Sequence, residues 1–411
     1  MSTRRPRIAF VIQRYGLEIT GGSEALCRKV AEKLASHYDI EVLTSCAIDH
    51  LSWKNVLPEG RSVLNGVTIH RFPATEERHL LNFHRVYDRI FLEQLTDDQE
   101  RDMIHHQGPC CPALIDRILR TQSSCDAFVF FTYLYWPTVV GLDKVKEKAI
   151  FVPTAHDETS LYLHVLDELF RVTPHLLFNS DEERFLTLRR FTLPESTGRV
   201  AGMGIDEPEP GETDPGWGSL RDRLRGNRIL TYVGRVENGK GCDELVDFFL
   251  RFVREENRLD ITLLLLGNRT LPLPPHPQIV SPGFVSEYVK FQALASTDIA
   301  IAPSPFESLC IAALESWMHR RPVLANGKCA VLVGHCIRSN GGLWYTSYPE
   351  FRETVKLLLS NAELRAALGK QGRGYVEQNY RWPVIEQIWR DEIDSVIASQ
   401  ASAKEQTRIG N

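Results

Sequence analysis

The sequence predicts an α/β protein built from two doubly wound domains of similar size. Three observations lead to this prediction. In the first half, short apolar runs typical of strands buried on both faces alternate with helical segments. A stretch rich in Pro, Gly and acidic residues then interrupts the pattern at 207–218. After it the alternation starts again, and repeated β-α units indicate parallel sheets with helices on both faces.

The first half begins with a buried strand at 7–13. A helix is predicted at 23–35, because apolar residues recur there at helical spacing, and Ser23 is its expected N-cap. The remaining strands of this half are expected at 40–44, 67–71, 127–131, 149–153 and 176–179, and its remaining helices at 113–121, 137–145 and 181–191.

The second half repeats the alternation and closes with helices. Its strands are expected at 229–234, 261–267, 298–302 and 322–325, and its helices at 242–253, 286–295, 309–319, 351–360, 362–380 and 384–398. The polar tail 400–411 is expected to fray. The domains are therefore placed at 1–203 and 204–380, with a last helix at 381–400.

Composition excludes several classes of protein. The 411 residues are 43% hydrophobic and 25% charged, as in globular chains and unlike collagenous or disordered ones. Lys and Arg number 48 against 53 Asp and Glu, so no nucleic-acid partner is expected. The nine cysteines form no CxxC pair, which favours a reducing compartment. His105 and His106 have no carboxylate or further histidine at metal-ligand spacing, so no metal site is predicted.

The hydropathy pattern predicts a soluble, cytoplasmic protein. The longest uncharged stretch, 127–142, falls short of the roughly 18 apolar residues that a membrane span needs. The segment 80–95 mixes apolar and basic residues, and it fits an ordinary amphipathic helix better than a membrane-surface or acceptor-side helix. Peripheral contact with the inner face of a membrane stays open.

Two motifs of the first half follow strands. Gly21 and Gly22 precede the helix at 23–35, where paired glycines admit a ligand close to the backbone and the helix N-terminus attracts an anion. A plain turn explains them equally well. His156 follows the strand at 149–153 and can donate to a hydroxyl or a developing charge, although an ordinary loop histidine is the simpler interpretation.

The loop after the strand at 229–234 carries two cations. Arg235 follows Gly234 directly, and Lys240 with Gly241 precedes the next helix. The planar fork of Arg and the point charge of Lys together suit a pyrophosphate. Solvated loop cations are the alternative, but the position at a strand's carboxyl end favours a diphosphate site.

The segment 303–315 joins a strand to a helix expected to begin near Ser308, whose N-terminus can bind phosphate. Glu307 and Glu315 would lie about 12 Å apart at the rise of an α-helix, enough to contact the ribose and the hexose of a nucleotide sugar. Carboxylates suit this task because they accept hydroxyl hydrogen bonds. Glu is common, so the pair alone could arise by chance, and its place on a strand-to-helix loop favours a role.

The order of these motifs resembles family 4 of the retaining glycosyltransferases, which have the GT-B fold. The resemblance spans nearly the whole chain and is thinnest at 51–114. The segments that match are Gly21-Gly22-Ser23-Glu24, His156, Gly204-Ile205-Asp206, Gly234-Arg235, Lys240-Gly241, Glu307 with Glu315, 321–325 and Tyr380-Arg381-Trp382.

The resemblance implies two Rossmann-like domains that face each other across a cleft, with a last helix that crosses back to the first domain. It implies that the nucleotide lies mostly on the second domain, that the first is the acceptor-side domain, and that residues of both domains contact the donor. They are Arg235 and Lys240 at the diphosphate, Glu307 at the transferred sugar, Glu315 at the ribose, Ser308 and the N–H groups of Leu309 and Cys310 at phosphate, Gly21 and Gly22 near donor phosphate or acceptor, and His156 at the donor sugar. No metal or other cofactor is expected, because the cations and the helix N-terminus replace it.

Two departures from the family pattern concern the phosphate site. Cys310 stands where the family commonly has Gly, and 326–330 replaces a Gly-Gly turn. Both bear on phosphate geometry and on the choice between a UDP- and a GDP-linked donor.

The resulting prediction is a hexosyltransferase-type enzyme. It would move a sugar from a nucleoside-diphosphate sugar to a hydroxyl of a sugar, glycan or lipid-linked acceptor, with retention of configuration. Two alternatives stay open: a sugar-nucleotide epimerase or phosphorylase of the same architecture, and a non-catalytic nucleotide-sugar binder.

Overall fold

The computed structural model describes residues 4–93, 95–207 and 214–409, with side chains described up to residue 402. The chain divides into two compact units. The first unit consists of Met1–Met203 with Ile385–Asn411, and the second of Gly204–Val384.

The first unit is built on an eight-stranded sheet in the order β3-β4-β2-β1-β5-β6-β7-β8. All neighbouring strands are parallel except β3, which pairs antiparallel with β4. The strands are β1 (Arg7–Val11), β2 (Asp39–Ser45), β3 (Gly60–Leu64), β4 (Val67–Phe72), β5 (Ala127–Phe131), β6 (Ala149–Val152), β7 (His175–Phe178) and β8 (Arg199–Val200).

Helices pack on both faces of this sheet and enclose a core of aliphatic and aromatic side chains. The fully apolar strand β5 is buried at every position, as expected for a central parallel strand. The helices of this unit within 1–203 are α1 (Gly22–Leu34), α2 (Leu80–Tyr87), α3 (Asp97–Gln107), α4 (Pro112–Thr121), α5 (Trp136–Gly141), α6 (Val165–Val172) and α7 (Asp181–Phe191).

The second unit has a six-stranded sheet in the order β11-β10-β9-β12-β13-β14, parallel throughout. The strands are β9 (Arg228–Val233), β10 (Ile261–Leu266), β11 (Ile279–Gly283), β12 (Ile299–Ala302), β13 (Val323–Asn326) and β14 (Gly342–Tyr345). The helices are α8 (Pro215–Leu224), α9 (Cys242–Glu255), α10 (Glu287–Ser296), α11 (Ile311–Met318), α12 (Ala330–Ser339), α13 (Tyr348–Ser360) and α14 (Ala362–Asn379). Both units thus confirm the predicted α/β class.

The last helix, α15 (Trp382–Ile409), starts in the second unit, and its residues from Ile385 onward belong to the first. Trp389 is buried there with its ring stacked on Phe131, 6.1 Å between centroids, and its Nε1 donates to the carbonyl oxygen of Gly202 at 3.3 Å. Glu392 lies 2.6 Å from His175 Nδ1. The polar tail is helical as far as Ile409, so the expected fraying from 400 was wrong up to that residue.

Several local predictions need correction. Gly21, in extended backbone, caps α1, and Ser23 lies inside the helix instead. The predicted helix at 137–145 gives way to a 3₁₀ segment after Gly141. The strands β3, β8, β11 and β14 and the helices α3, α6, α8 and α12 were not predicted. For β3 a signal existed, because Asn65 and Gly66 form a tight turn with positive φ at both residues, as the Asn-Gly hairpin pattern indicates.

The composition of 207–218 is that of a domain linker or a surface loop, and the structure describes part of this stretch. Residues 208–213 of the stretch 207–218 lie outside the described residues. Its last part is helical, because α8 begins at Pro215 with Asp214 as N-cap, and Asp214 Oδ1 accepts from the N–H of Gly216 at 2.8 Å.

Candidate active site

The predicted cations and the first predicted carboxylate meet at one edge of the second sheet. Strands β9 and β12 are parallel neighbours, with Ile299 opposite Leu230. The carboxyl ends of parallel neighbours lie at the same edge, so the loops that follow them come together. There Lys240 Nζ donates to Glu307 Oε1 at 2.7 Å.

The Lys240–Glu307 pair is largely shielded from water. The side chains are 24% and 18% exposed. Burial alone would lower the pKa of Lys240, but the carboxylate of Glu307 outweighs it, so the pKa lies above its usual value. Lys240 therefore carries a full positive charge at neutral pH.

Arg235 belongs to the same cluster. Its charge acts on Lys240, whose pKa it lowers, and its guanidinium lies 3.2 Å from Glu237 Oε1. The carbonyl oxygen of Arg235 accepts from the hydroxyl of Tyr232 at 2.7 Å, which ties the start of the loop to β9. The edge thus presents two cations from one loop, the pattern predicted from the sequence.

Gly241 explains why this loop can lie so close to the loop after β12. Its φ is +70°, and a Cβ there would stand 2.3 Å from the carbonyl oxygen of Pro303. The same oxygen accepts from the Asn326 side-chain amide at 2.8 Å. Asn326 ends β13, so three neighbouring strand ends are joined at Pro303.

The loop 303–310 is longer than predicted, because α11 begins at Ile311 and not near Ser308. Cys310 is the N-cap with a φ of +61°, a conformation that holds it out of the helix. The helical rise therefore applies to only part of the stretch from Glu307 to Glu315, and the expected 12 Å separation no longer follows. Burial raises the pKa of the Cys310 thiol well above its usual value, with Glu307 adding to the effect, so the thiol is neutral.

A buried histidine on α12 holds the loop 303–310 through a hydrogen bond to its backbone. His335 of α12 is fully buried, with Nε2 3.0 Å from the carbonyl oxygen of Leu309 and Nδ1 3.0 Å from the hydroxyl of Tyr375. A carbonyl oxygen only accepts, so Nε2 carries the proton and Nδ1 accepts from Tyr375. No sequence motif marked His335, since its partners come from separate elements.

Glu315 forms its ion pair with a different lysine from the one that pairs with Glu307. It contacts Lys290 of α10, Nζ to Oε1 2.7 Å, and both side chains are 13% exposed. Burial lowers the pKa of Lys290, but Glu315 and Glu287 outweigh it and raise it overall. Lys290 was missed because a single lysine in a helix pattern is ordinarily a solvated residue.

In the first unit, Gly21 is the N-cap of α1 and Gly22 its first residue, at the end of the loop that follows β1. A Cβ on Gly21 would stand 2.1 Å from Glu24 Oε2, whereas a Cβ on Gly22 would meet nothing within 4 Å. A side chain at position 21 would thus displace the buried Glu24 carboxylate, whereas Gly22 borders open space at the N-terminus of the helix.

Glu24 anchors that loop through contacts that the sequence did not reveal. Its Oε1 accepts from Arg14 Nη2 at 2.6 Å and from Gln13 Nε2 at 2.9 Å, and its Oε2 accepts from Ser23 Oγ at 2.9 Å. Burial raises the pKa of Glu24, but Arg14 and Ser23 outweigh it and hold the pKa below its usual value. A buried ion pair therefore shapes the loop.

His156 lies in the loop after β6, with Nδ1 3.3 Å from Glu158 Oε1, and its side chain is 30% exposed. Thr154 just before it has a φ of +51°, which is strained for a β-branched residue. Backbone strain of this kind concentrates at functional sites. The strands β1 and β6 are separated by β5 in the sheet, so His156 and Gly22 follow strands that are not adjacent.

Glu183 holds the loop that contains His156 through a hydrogen bond to its backbone. Its Oε1 accepts from the N–H of Ala155 and its Oε2 from that of Asn179, both at 2.6 Å. Burial raises the pKa of this carboxyl to about 7, although the two N–H groups act in the opposite direction. Glu183 joins the ends of β6 and β7, and nothing in the local pattern pointed to it.

Comparison with known proteins agrees with this architecture. Residues 227–361 match the family model described as Glycosyl transferases group 1. An alpha-D-kanosaminyltransferase of Streptomyces kanamyceticus is 24% identical over 280 residues, which cover 61% of this chain and 70% of the relative.

Solved structures resemble the chain over nearly its full length. The sucrose-phosphate synthase of Thermosynechococcus elongatus superposes with a TM-score of 0.71 at 16% identity, covering 96% of this chain and 100% of the other. The HepE protein of Anabaena, solved in complex with UDP and glucose, gives a TM-score of 0.66 at 12% identity, with 95% and 100% covered.

The chain has two parallel α/β units, with cations and a carboxylate at the strand ends of the second sheet. Together with the matches to the family model and to the solved structures, this makes it a glycosyltransferase with the GT-B fold. The part that the group 1 model matches, 227–361, contains the whole Arg235–Lys240–Glu307 cluster. The predicted fold and the predicted class of enzyme are confirmed. Among the described residues, no helix combines the length and apolar character needed to cross a bilayer.

Proposed function

We propose that this protein transfers a hexose from a nucleoside-diphosphate sugar to an acceptor hydroxyl with retention of anomeric configuration, as a member of family 4. The supporting observation is the Lys240–Glu307 pair beside Arg235, at the carboxyl ends of β9 and β12 in the segment that matches the glycosyl transferase model. Parallel α/β sheets bind their ligands at this edge.

The donor diphosphate would be held by Arg235 and Lys240. The N-terminus of α11, with the N–H groups of Leu309 and Cys310, would add donors and positive dipole charge, and Ser308 lies in the same loop. Stabilising the departing nucleoside diphosphate is mainly electrostatic. These groups supply that charge without a metal ion.

Glu307 would change partners when the donor binds. Without ligand it neutralises Lys240 at 2.7 Å. A diphosphate that takes over Lys240 leaves the carboxylate to accept hydrogen bonds from hydroxyls of the transferred sugar. Glu315, oriented by Lys290, would accept from the ribose hydroxyls.

Retention would follow from attack on the face that the diphosphate leaves. The leaving phosphate can act as the base for the acceptor hydroxyl, so no protein nucleophile is needed. Gly22 would lie near donor phosphate or acceptor, and His156 would donate to the donor sugar. A UDP-linked donor is favoured by the Anabaena structure, which holds UDP and glucose.

The acceptor would be a sugar, a glycan or a lipid-linked saccharide. Large apolar side chains are exposed in the first unit around α2, namely Leu81, Phe91 and Leu92. Exposed apolar side chains of this kind suit an amphiphilic acceptor and peripheral contact with a membrane surface.

The decisive experiment compares Lys240→Ala and Arg235→Ala with Lys356→Ala, a control on the exposed face of α13. Loss of one cation at the leaving group should lower turnover about 10²–10³-fold, whereas the control should match the wild type. Nuclear magnetic resonance of the product gives its anomeric configuration.

The same assay separates the alternatives. An epimeric sugar nucleotide formed without acceptor would favour the epimerase, and dependence on free phosphate the phosphorylase. Tight donor binding with no transfer to any acceptor of a broad panel would favour a non-catalytic binder. Wild-type turnover in both alanine variants would refute the proposed site.

A further inference from the structure

A cluster of imidazole, thiol and carboxylate groups lies in the first unit, outside the residues assigned above. Glu76 belongs to the loop between β4 and α2, and His79 caps α2. His105 and His106 occupy the last turn of α3, and Cys110 follows in the loop before α4. Three separate segments thus converge here.

His105 lies at the centre of the cluster. Its Nε2 contacts Glu76 Oε1, and its Nδ1 lies 3.3 Å from Cys110 Sγ. The second oxygen of Glu76 lies 3.1 Å from His79 Nε2. One ligand atom each from Glu76, His105 and Cys110 can be chosen so that all lie within 4.8 Å of one another.

The donor set and its spacing favour one class of ion. Thiolate, imidazole and carboxylate are the ligands of zinc, at bond lengths of about 2.0–2.3 Å. Ligand atoms of such a tetrahedral site are roughly 3.3–3.8 Å apart, so these side chains need to shift by only about 1 Å. We propose that Glu76, His105 and Cys110 bind a zinc-class divalent cation, with water in the fourth position.

The polar groups of this cluster are incompletely satisfied by protein alone. His106 Nδ1 is buried with no hydrogen-bond partner among the described residues, and its ring lies 5.5 Å from that of His79 and 5.8 Å from that of His105. Buried unpaired polar atoms commonly mark a missing water or ion. Solvent can reach the cluster, because the side chains of His105 and Glu76 are 46% and 34% exposed, while Cys110 is buried.

An ion here would fasten the α3–α4 junction to the loop before α2. It would use residues of the first unit alone, so it is independent of the donor chemistry proposed for Lys240 and Glu307. No sequence motif indicated this site, since Glu76 is distant from His105 along the chain.

The test uses the full-length, untagged protein, stripped with a chelator and titrated with Co²⁺ alone. A single equivalent should bind and produce the visible bands of tetrahedral Co²⁺ together with a thiolate-to-cobalt charge-transfer band, and Zn²⁺ should displace it. Cys110→Ser should abolish the charge-transfer band. It should weaken binding by at least the roughly 10–100-fold that loss of a ligand's supporting hydrogen bond costs.

Cys111→Ser is the matched control, because the neighbouring thiol is also buried and faces the Phe72 carbonyl instead. It should leave the spectrum unchanged. His105→Gln and Glu76→Gln change partly exposed side chains and serve as second variants should Cys110→Ser fail to fold; each should weaken binding, and His84→Gln should not. Zn²⁺ should raise the melting temperature of the wild type but not of these ligand variants. Absence of stoichiometric binding, or binding that survives all three ligand substitutions, would overturn the proposal.

Discussion

Lys240 and Glu307 illustrate how much of the site depends on one buried ion pair. Each residue neutralises the other in a place where water is largely excluded, so removal of either leaves an uncompensated charge. The pair also links two loops that come from neighbouring strands. The same atoms therefore serve stability without ligand and, in the proposed reaction, binding of the donor.

Replacement of Glu307 should separate these two roles. Glu307→Gln leaves Lys240 without its counter-charge, which should destabilise the protein by about 1–3 kcal/mol in urea unfolding. Calorimetry should show that UDP binds at least as tightly as to the wild type, because Lys240 no longer has a competing partner, while transfer falls. Glu244→Gln, which removes the partner of the more exposed Lys328, is the control. Weaker UDP binding in Glu307→Gln would contradict the exchange of partners.

Glu183 should make stability depend on pH. Its pKa in the folded protein is about 7, raised mainly by burial from an ordinary value of 4.5. Between these values the folded state holds a proton that the unfolded state has lost, so stability falls as the pH rises through this window. The shift corresponds to about 3 kcal/mol. Urea unfolding from pH 4.5 to 7.5 should show a smaller decline in Glu183→Gln, and an identical decline would exclude Glu183 as its cause.

The position of a single residue in the fold was predictable where one general rule relates its place in the sequence to its place in the sheet. The proximity of Arg235, Lys240 and Glu307 was predictable because the carboxyl ends of neighbouring parallel strands share an edge. Lys290 and Glu183 were not found, because each depends on partners from other elements, which local pattern does not encode. The N-cap expected at Ser23 was wrong because its hydroxyl donates to the buried Glu24 instead.

Among the structural elements, the short loop between β9 and α9 determines where Lys240 lies. It can follow its path only because Gly241 has a positive φ and no side chain against Pro303. The loop after β12 is held in turn by Asn326 and by His335. Contacts from β13 and α12 thus hold the loop after β12, and the proposed diphosphate site would depend on such fixed geometry.

Gly241→Ala should therefore damage the site far more than a neighbouring change. An L-residue at this φ costs roughly 1–2 kcal/mol, and the added Cβ also displaces Pro303 or the Lys240 loop. Thermal unfolding should show a lower midpoint, and donor binding should weaken. Gly239→Ala, where a Cβ would meet nothing within 4 Å, should behave as the wild type. Equal effects of the two substitutions would show that the loop adapts.

Helices and strands were predicted well where the apolar periodicity is strong. They were predicted poorly where the conformation of a single residue determines where an element begins. The buried strands of both sheets follow their apolar runs closely. The start of α11 was missed by two to three residues, because the left-handed conformation of Cys310 has no signature in apolar spacing. The short strand β14 and the helix α12 were missed, since neither carries a distinct periodic pattern.

At the scale of the whole molecule, the first unit is assembled from two distant parts of the chain. The helix α15 supplies Trp389 to its core and Glu392 to His175. Apolar periodicity indicated a helix at 384–398, but which unit it joins was implied only by the family resemblance. Long-range packing of this kind depends on the assembled surface and not on local sequence.

Trp389→Ala should destabilise the first unit strongly. Truncation of a buried Trp costs about 3–5 kcal/mol, and here the contact with Phe131 and the hydrogen bond to Gly202 are lost as well. Urea unfolding should report this loss. Ser395→Ala, at an exposed position of the same helix, should change stability by less than about 0.5 kcal/mol. A small effect of Trp389→Ala would mean that α15 contributes little to the unit.

The return of α15 to the first unit has a consequence for synthesis on the ribosome. Residues 7–203 have to wait for residues 385–402, which are translated much later, before their core can close around Trp389. A nascent chain stalled before residue 385 would expose the hollow that this indole fills. A stop codon shortly before codon 385 should thus yield an aggregation-prone product, even though all the described strands precede it.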